Sequence, residues 1–352
     1  MMRSLLVVVI FAMPVFSDVE PILSNYRISG QDLRSLQSIA EKFEIHARTP
    51  KGLEVHVPTG RAKEFLLMAP NAELLEFDIH QEIDRLQGSN SDWLSGYHQF
   101  AQVETILKDY ASNHPSFVTL TQYGKSQQNN PLYALRVCGS KTAKRLPQIM
   151  LTGATHGDEL ITVEVVLGIL DHLISGYSSD PHIQKLVDNH EIFVVPVVNP
   201  DGFKARLRTD NGRDPNRSYP WPENMSNTPT ASIRAIMQFV DSHQIAGSID
   251  FHASGEMIMY PWAYTESRPK TTDEAIFRDL GNQMARHNNY VMGQISTTIY
   301  IAPGSSADYY YWKHGSFSYG IEMATSKVPH SSQIASVLKD NLDSTLDFIE
   351  HF

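Results

Sequence analysis

Residues 149–170 read IMLTGATHGDELITVEVVLGIL, and this stretch decides the fold. The apolar run Ile149–Leu151 has the length of a short buried strand, and the apolar pattern from Ile161 to Ile174 has the length of a helix. The polar turn Thr155–Glu159 lies between them. A strand that passes through a polar turn directly into a helix is typical of α/β proteins.

Three other apolar runs also end in polar residues: Ile192–Val198 before Asn199, Ile249–Phe251 before His252, and Tyr319–Ile321 before Glu322. In open α/β sheets, ligands bind at the carboxyl ends of the strands. Strand and helix patterns alternate from Trp93 onwards. We therefore predict an α/β domain over residues 91–352, with a mixed, mostly parallel twisted sheet, helices on both faces and these polar groups in one crevice.

His156 and Glu159 lie three residues apart where the strand ends and the helix begins. His252 follows another predicted strand and could complete a set of two histidines and one glutamate. Such a set, with a fourth position left to water, is typical of catalytic zinc sites. The alternative is a surface His-Glu pair with an unrelated core histidine.

Glu322, at the end of an apolar run, would place a carboxylate beside that metal, where it could take a proton from activated water and pass it to a leaving amine. The alternative is a salt-bridged glutamate on an edge strand. Arg208, Asn216 and Arg217 lie in a polar stretch after Asn199. Arginine forks bind carboxylates, so these residues suggest a site for an anionic group, although loop arginines are often only solvated.

Composition narrows the function classes. The chain has 352 residues with 29 Lys and Arg against 39 Asp and Glu, so 29 − 39 gives a net charge of −10, which argues against nucleic acid as a partner. With 41% hydrophobic and 19% charged residues, the chain should fold around a sizeable core. Its single cysteine, Cys138, cannot form an intramolecular disulfide.

The first residues have the pattern of a secretory signal peptide. Arg3 precedes an almost wholly apolar run from Ser4 to Val15, and small residues at Val15 and Ser17 suggest cleavage after Ser17. The alternative is a buried N-terminal strand or helix. We expect signal residues 1–17 and a secreted or periplasmic monomer, with no membrane association after the signal is removed.

Residues 18–90 predict a separate small domain. Strand patterns around Tyr26, His46, Val55 and Leu74 alternate with two helix patterns, from Leu33 and from Arg61 to Met68, in the order βαββαβ. This order predicts an α+β open sandwich of the ferredoxin-like kind, with both helices on one face of an antiparallel sheet. The polar stretch Gln87–Asp92 that follows is a plausible linker.

The chain resembles the zinc metallocarboxypeptidases of the pancreatic carboxypeptidase A/B type. The resemblance rests on these motifs in order: His156-Gly-Asp-Glu159, Asn199-Pro-Asp-Gly202, Asp214-Pro-Asn216-Arg217, His252 followed by Met259-Tyr260-Pro261, Ile299-Tyr300 with Gly304 and Asp308, and Glu322 eleven residues after Tyr311. It covers essentially the whole chain after the signal, and residues 20 to 90 are similar to the inhibitory propeptide of that family.

The resemblance implies a role for each matched residue. His156, Glu159 and His252 would bind one Zn²⁺ ion, and Glu322 would be the general base. Arg208 would polarise the scissile carbonyl, a choice over Arg206 that the shortened Arg208–Asn216 segment leaves open. The residues that would hold the C-terminal carboxylate of a peptide are Asn216, Arg217 and Tyr300. The expected reaction is hydrolysis of the last peptide bond by zinc-activated water.

Departures from the family pattern bear on specificity. Asp158 stands where the pancreatic enzymes have an arginine that assists substrate binding, which predicts loss of that contact. Ala307 aligns with the base of the specificity pocket, and Ala263 and Gly320 would line the same pocket. A neutral, roomy pocket favours apolar or aromatic C-terminal residues.

The resemblance also implies a zymogen that an activating protease converts, with Arg85 as a candidate cleavage site. The alternative is a permanent accessory domain without an inhibitory role. An alternative activity is that of a zinc amidohydrolase acting on cell-wall peptides or small N-acyl amino acids. A catalytically inactive binding module is a further alternative, against which the intact metal and Glu322 positions argue. The absence of a G-x-S-x-G motif argues against a serine hydrolase.

Overall fold

The computed structural model describes residues 23–29, 33–40, 42–49, 52–76, 96–139, 145–266 and 272–352. The predicted signal peptide (residues 1–17), Arg85 and the predicted linker Gln87–Asp92 lie outside the described residues.

The described strands are β1 (Leu23–Ile28), β2 (Glu44–Thr49), β3 (Gly52–Pro58), β4 (Glu73–Glu76), β5 (Val118–Lys125), β6 (Pro131–Val137), β7 (Gln148–Thr152), β8 (Glu191–Val195), β9 (Ile245–His252), β10 (Met257–Tyr260), β11 (Val291–Gln294) and β12 (Phe317–Glu322).

The described α-helices are α1 (Leu33–Ala40), α2 (Ala62–Met68), α3 (Phe100–Asn113), α4 (Leu160–Gly176), α5 (Pro181–Asn189), α6 (Pro200–Ala205), α7 (Ala231–Asp241), α8 (Glu274–Ala285), α9 (Ile295–Thr298), α10 (Ser306–His314) and α11 (Ile334–Glu350). Short 3₁₀ turns cover Thr59–Arg61, Pro215–Arg217 and Ser331–Gln333.

The larger sheet has eight strands in the order β11-β10-β12-β9-β7-β8-β6-β5. Its centre is parallel, because β8, β7, β9 and β12 all run in one direction. Antiparallel pairs β10·β12, β6·β8 and β5·β6 flank this centre. The predicted α/β fold with a mixed sheet is therefore confirmed.

Helices cover both faces of this sheet, as the alternation of side chains in β7 shows. Ile149 and Leu151 point into a core that also contains α3, α4, α5, α8 and α11. Met150, between them, points to the other face and packs in a second core with α7 and α10. Successive residues of a strand face opposite sides, so a strand buried on both faces is apolar throughout, as β7 is.

The first 76 residues contain a four-stranded antiparallel sheet in the order β2-β3-β1-β4. The elements follow one another in the order that the sequence predicts, which is β1, α1, β2, β3, α2 and β4. Both helices lie on one face, because Ile39 of α1 and Phe65 of α2 share a core with Tyr26 of β1 and Val55 of β3.

That core continues into the α/β domain. The same cluster of buried side chains includes Met259 of β10, Tyr300 and Ala307. The backbone N–H of Ile301 also donates a hydrogen bond to Oε1 of Gln37 in α1, at 3.1 Å. The small domain is therefore packed onto one end of the larger sheet.

No single helix of the described residues combines the length and apolar character needed to cross a membrane. Helices α4 and α5 meet these criteria only as a pair bent by 105°. Their apolar side chains belong to the main core of the protein.

A buried carboxylate anchors the start of the α/β domain. Glu164 of α4 is 6% exposed and accepts two hydrogen bonds from His98, one from the backbone N–H and one from ring Nδ1, each at 2.7 Å. The hydrogen bond to Glu164 raises the pKa of His98 although burial opposes the shift. His98 thus holds the segment before α3 against α4 through its backbone and its ring.

This contact predicts pH-dependent stability. A raised folded-state pKa adds stability in full below the unfolded pKa of 6.5, and that stability is lost as the pH rises through the folded pKa. We expect His98→Ala to cost about 0.5–1 kcal/mol at pH 5.5, since the side chain is partly exposed, and less at pH 9. Urea unfolding at both pH values measures this, with Glu164→Gln as a second variant. A cost that grows with pH would contradict the assignment.

Candidate metal centre and active site

Strand register gathers the predicted metal ligands. Strands β7 and β9 are parallel neighbours, with Thr152 beside Asp250, so both strands end at the same edge. His156 lies in the turn after β7, Glu159 caps the start of α4, and His252 is the last residue of β9. The side chains of all three residues are buried.

The three side chains converge on one point. His156 Nδ1 lies 2.8 Å from Glu159 Oε1, and His252 Nδ1 lies 3.0 Å from Glu159 Oε2. The two Nδ1 atoms are 3.1 Å apart. One ligand atom from each residue lies within 4.8 Å of the others, the arrangement expected of a site that holds a single metal ion.

Two further carboxylates face the outer nitrogens of these histidines. Asp214 Oδ1 is 3.1 Å from His156 Nε2, and Asp250 Oδ2 is 3.1 Å from His252 Nε2. Carboxylates in this position orient metal-binding imidazoles and leave the other ring nitrogen to the metal. The sequence motifs predict no role for either residue. The spacing of Asp250 offered a signal, because residues two apart on a strand face the same side.

Local hydrogen bonds hold Asp250 in place. Its Oδ1 accepts hydrogen bonds from the hydroxyls of Thr152 and Thr155, each at 2.8 Å, and its Oδ2 accepts one from the hydroxyl of Ser306 at 2.7 Å. Burial alone would raise the pKa of Asp250, but the charge of His252 and these hydrogen bonds lower it. Asp250 is therefore an ionised, fixed support for His252.

The charges of the site favour a divalent cation. Burial would raise the pKa of Asp214, yet the positive charges of Arg208 and His156 hold it well below its usual range. With both imidazoles neutral, the form in which histidine binds a metal, the carboxylates of Glu159, Asp214 and Asp250 outweigh the guanidinium of Arg208, since 1 − 3 = −2. A dication that binds to the two Nδ1 atoms would neutralise this buried charge. The residues present therefore fit zinc.

Arg208 reaches the centre, whereas Arg206 does not. The Nε and Nη2 atoms of Arg208 lie 3.0 and 2.9 Å from Asp214 Oδ2, and Nη1 lies 3.2 Å from His156 Nδ1. Arg206 is the exposed residue that directly follows α6, with a left-handed φ of 56°. Of the two candidates in the sequence, only Arg208 lines the central cavity.

The Asn199-Pro-Asp-Gly202 motif positions the loop that carries Arg208. Asn199 accepts a hydrogen bond from the backbone N–H of Gly202 at 2.9 Å and donates one to the carbonyl of Thr209 at 3.1 Å. A Cβ atom on Gly157 would lie 2.1 Å from the carbonyl carbon of Gly202. The turn after β7 and the turn after β8 thus pack backbone against backbone, which requires glycine at position 157.

The predicted carboxylate-binding residues lie in the same cavity as the metal ligands. Arg217 Nη2 donates a hydrogen bond to the hydroxyl of Tyr300 at 3.0 Å. The amide of Asn216 contacts His252 Nε2 at 3.2 Å and accepts a hydrogen bond from the backbone N–H of Ser306 at 2.9 Å. Asn216 therefore links the metal site to the pocket wall through both ends of its amide.

Glu322 closes the site from the neighbouring strand. It pairs directly with His252 in the parallel ladder between β12 and β9 and lines the cavity. Burial raises its pKa to about 7, while the charge of His252 opposes the rise. A carboxyl group with a pKa near neutrality can both accept and donate protons at physiological pH.

One part of the cavity wall is made of small and apolar residues. Ala307 and Gly320 line it together with Met259 and Ala302, and a Cβ atom on Gly320 would meet no atom within 4 Å. Ala263, which the sequence predicted to line this pocket, is fully buried instead. Its backbone N–H donates a hydrogen bond to Oδ1 of Asp308 at 2.7 Å.

The chain is similar in sequence to known zinc carboxypeptidases. A family model described as zinc carboxypeptidase matches residues 103–344. A zinc carboxypeptidase of Saccharothrix mutabilis subsp. capreolus is 30% identical over 292 residues, which cover 71% of this chain and 66% of that protein. Carboxypeptidase M of Mus musculus is 28% identical over 288 residues, covering 72% of this chain and 65% of that protein. This chain thus spans about two thirds of the length of these relatives.

Solved structures share the fold. Carboxypeptidase A from Helicoverpa armigera has a TM-score of 0.79 at 17% identity, covering 94% of this chain and 97% of that chain. Thrombin activatable fibrinolysis inhibitor has a TM-score of 0.72 at 21% identity, covering 94% of this chain and 98% of that one.

The site predicts one bound zinc ion per chain. We expect zinc added to chelator-treated protein to raise its melting temperature, and His156→Ala or His252→Ala to abolish stoichiometric binding because each removes a ligand. Asp214→Asn and Asp250→Asn should weaken zinc binding by about 10- to 100-fold. Elemental analysis and zinc titration measure these effects.

The control is His190→Ala, which removes a buried histidine that contacts the carbonyl of Leu186 instead. It should bind zinc like the wild type. Full zinc occupancy in His156→Ala would show that the metal binds elsewhere.

Proposed function

The chain belongs to the zinc carboxypeptidase family, and we propose that it hydrolyses the last peptide bond of a peptide and releases the C-terminal residue. One observation carries this proposal: Arg217 and Tyr300 lie in one cavity with the metal ligands and Glu322. A partly buried guanidinium in this position discriminates in favour of chain ends, because an internal peptide bond offers it no carboxylate.

One Zn²⁺ ion is the cofactor of this family, and His156, Glu159 and His252 would hold it. Zinc, when bound, supplies Lewis-acid chemistry that polarises a carbonyl group and lowers the pKa of water. Asp214 and Asp250 keep the two imidazoles in the orientation that this binding needs.

The proposed proton transfers belong to Glu322. Its carboxylate accepts a proton from the attacking water and then donates it to the amine that leaves. A pKa of about 7 suits both steps at neutral pH. Arg208 directs its guanidinium to the carbonyl oxygen, where negative charge develops as the tetrahedral centre forms.

The carboxylate of the substrate is bound on the opposite side of the cavity. Arg217 supplies a charged, two-pronged donor, and Tyr300 supplies a hydroxyl held 3.0 Å from that donor. Asn216 contacts both His252 and the backbone N–H of Ser306, and so fixes the position of this end of the pocket relative to the metal site. The last peptide bond is thereby placed at the metal ligands.

The C-terminal side chain of the substrate would enter the pocket beside Ala307 and Gly320. Ala307 is uncharged and small, and the space above Gly320 is open. Ala307, Gly320, Met259 and Ala302 offer no carboxylate to a lysine or arginine side chain, whereas burial of an apolar side chain beside them is favourable. We therefore propose a preference for apolar or aromatic C-terminal residues.

We further propose that the N-terminal domain holds the enzyme inactive. Ile45 of β2 is 5% exposed and lines the active-site cavity together with Tyr300 and the metal ligands. The remaining cavity has a volume of about 60 Å³, whereas ligand pockets span roughly 300–1,000 Å³. A peptide cannot enter beside this domain, so an activating protease must first cut the connection near Arg85.

Export completes the proposal. The order of basic, apolar and small residues over positions 1–17 supports a secreted or periplasmic zymogen. Its substrates there are the C-termini of peptides and proteins.

Proteolytic activation tests the zymogen and the activity together. The full chain should release almost no terminal residue from a peptide, and light trypsin treatment should start that release. Ile45→Ala should give partial activity without trypsin, because it removes the side chain with which the N-terminal domain lines the cavity and weakens the packing of that domain. Leu74→Ala is the matched control, since Leu74 is 47% exposed on the same domain and should leave latency intact.

Glu322→Gln should retain zinc and lose at least about 100-fold in kcat after trypsin treatment. Activity of the untreated chain equal to that of the treated chain would rule out inhibition by the N-terminal domain. Bound zinc without release of any terminal residue would rule out the carboxypeptidase, and N-acyl amino acids and cell-wall peptides would be tested next.

A panel of peptides that differ in their last residue tests the pocket. The wild type should release Phe or Leu faster than Lys or Arg, and Ala307→Asp should reverse this order by placing a carboxylate in the pocket. Ala307→Asn is the matched control, because it adds the same volume without the charge. Faster release of Lys or Arg by the wild type would contradict the proposed preference.

A further inference from the structure

Asp308 is a completely buried carboxyl group to which the proposed reaction gives no role. It is 0% exposed and lies in the first turn of α10, next to Ala307 of the pocket. Burial raises its pKa to about 7, although hydrogen bonds from two backbone N–H groups oppose the rise. A carboxylate is costly to bury unless both oxygens are hydrogen-bonded, so the groups that it binds explain its presence.

The carboxylate of Asp308 holds the segment that follows β10. Its Oδ1 accepts a hydrogen bond from the N–H of Ala263 at 2.7 Å, and its Oδ2 accepts one from the N–H of Tyr264 at 2.8 Å. Hydrogen bonds to a charged acceptor are short and directional. The two bonds together therefore fix both the distance and the orientation of this segment relative to α10.

The first turn of α10 is itself fixed to the metal site. The hydroxyl of Ser306 donates a hydrogen bond to Asp250, which supports His252, and the backbone N–H of Ser306 donates one to Asn216. Asp308 lies two residues further along the same turn. The segment after β10 is thus positioned from a helix turn whose own place is set by the metal site.

The segment after β10 in turn holds residues 295–302, which we call the wall segment. The backbone carbonyl of Ala263 accepts a hydrogen bond from the N–H of Ala302 at 2.7 Å. The backbone carbonyl of Trp262 accepts one from the N–H of Ser296 at 3.2 Å. The wall segment is therefore bound near both of its ends to the backbone that Asp308 fixes.

The wall segment carries residues that would meet the substrate. Ile295, Ile299 and Tyr300 line the cavity, and the hydroxyl of Tyr300 lies 3.0 Å from Nη2 of Arg217. Both donors must reach one carboxylate, so a displacement of the wall segment by about 1 Å would weaken that binding and change the width of the pocket. Asp308 has no exposed surface, so it acts on the cavity through the backbone.

We propose that Asp308 is the positioning residue for the pocket that receives the C-terminal residue of the substrate. It fixes the distance between α10 and the wall segment, and so keeps the pocket at one width while the terminal carboxylate binds to Tyr300 and Arg217. The inference rests on the proposed carboxypeptidase function and deepens it, because it assigns part of the selection of the last residue to a group that does not touch the substrate.

Asp308→Asn tests this role. The amide replaces one acceptor oxygen by an NH2 group, so the N–H of Ala263 or of Tyr264 loses its partner. The substrates are two blocked peptides of equal length that end in Phe or in Ala. The trypsin-treated full chain is assayed at pH 8.5, above the pKa of Asp308, where the wild-type carboxylate is ionised.

We expect KM for the Phe peptide to rise by roughly 10-fold and kcat to stay within about two-fold, because the lost contacts act in substrate binding and the metal ligands lie on other elements. The ratio of kcat/KM for Phe over Ala should fall at least about three-fold, since a displaced wall gives up more contacts with the larger side chain. Melting temperature and zinc content check each protein.

Glu164→Gln is the matched control, because it removes the charge of another buried carboxylate that accepts a backbone N–H. It should lower the melting temperature and leave both KM and the Phe-to-Ala ratio unchanged. Asp308→Glu is the second variant for the case that Asp308→Asn does not fold. It keeps both acceptor oxygens, and its extra methylene group should displace the segment after β10 and change the same ratio.

An unchanged Phe-to-Ala ratio in the folded variant, or a loss confined to kcat, would overturn the inference while the carboxypeptidase function stands. A zinc-loaded wild type that releases neither Phe nor Ala, nor any residue from longer peptides, would overturn the proposed function and this inference with it.

Discussion

Glu322 lies directly beside His252 in the parallel ladder between β12 and β9, and β7 pairs with β9 on its other side. This register is the constraint on which the site depends, because all three strands end at one edge of the sheet. His156 in the turn after β7, His252 at the end of β9 and Glu322 at the end of β12 therefore lie together. A shift of one residue would turn His252 or Glu322 to the opposite face of the sheet. The apolar residues that precede them, Ile249 and Phe251 in β9 and Tyr319 and Ile321 in β12, all pack in the main core on one face of the sheet and keep the register fixed.

The site concentrates buried charge that a protein core alone would not tolerate. Glu159, Asp214 and Asp250 are held ionised by imidazoles, hydroxyls and the guanidinium of Arg208. Such a cluster is costly to bury without a cation, since removing charges from water is repaid only by close and complete pairing. The carboxylates that prepare the metal site therefore make the stability of this edge of the sheet dependent on a bound cation.

Much of this could be predicted from the sequence. Apolar periodicity predicts both sheets, and the motifs around His156, His252 and Glu322 predict residues that the structure brings together. Local patterns could not decide between Arg208 and Arg206, because that depends on how the loop after α6 closes through Asn199. Contacts between distant segments, such as Lys327 with Asp158 and Ile45 with the cavity, leave no periodic signal in either segment.

The apolar floor of the pocket is also the surface on which the N-terminal domain packs. Met259, Ala302 and Ala307 share one hydrophobic cluster with Val55 and Phe65 of that domain. Under the proposed function, one set of side chains has two binding partners of different size, an entire folded domain and the end of a peptide. Substitutions that reshape the floor for a new substrate would then also alter the fit of the domain, so that the choice of substrate and the strength of inhibition would change together.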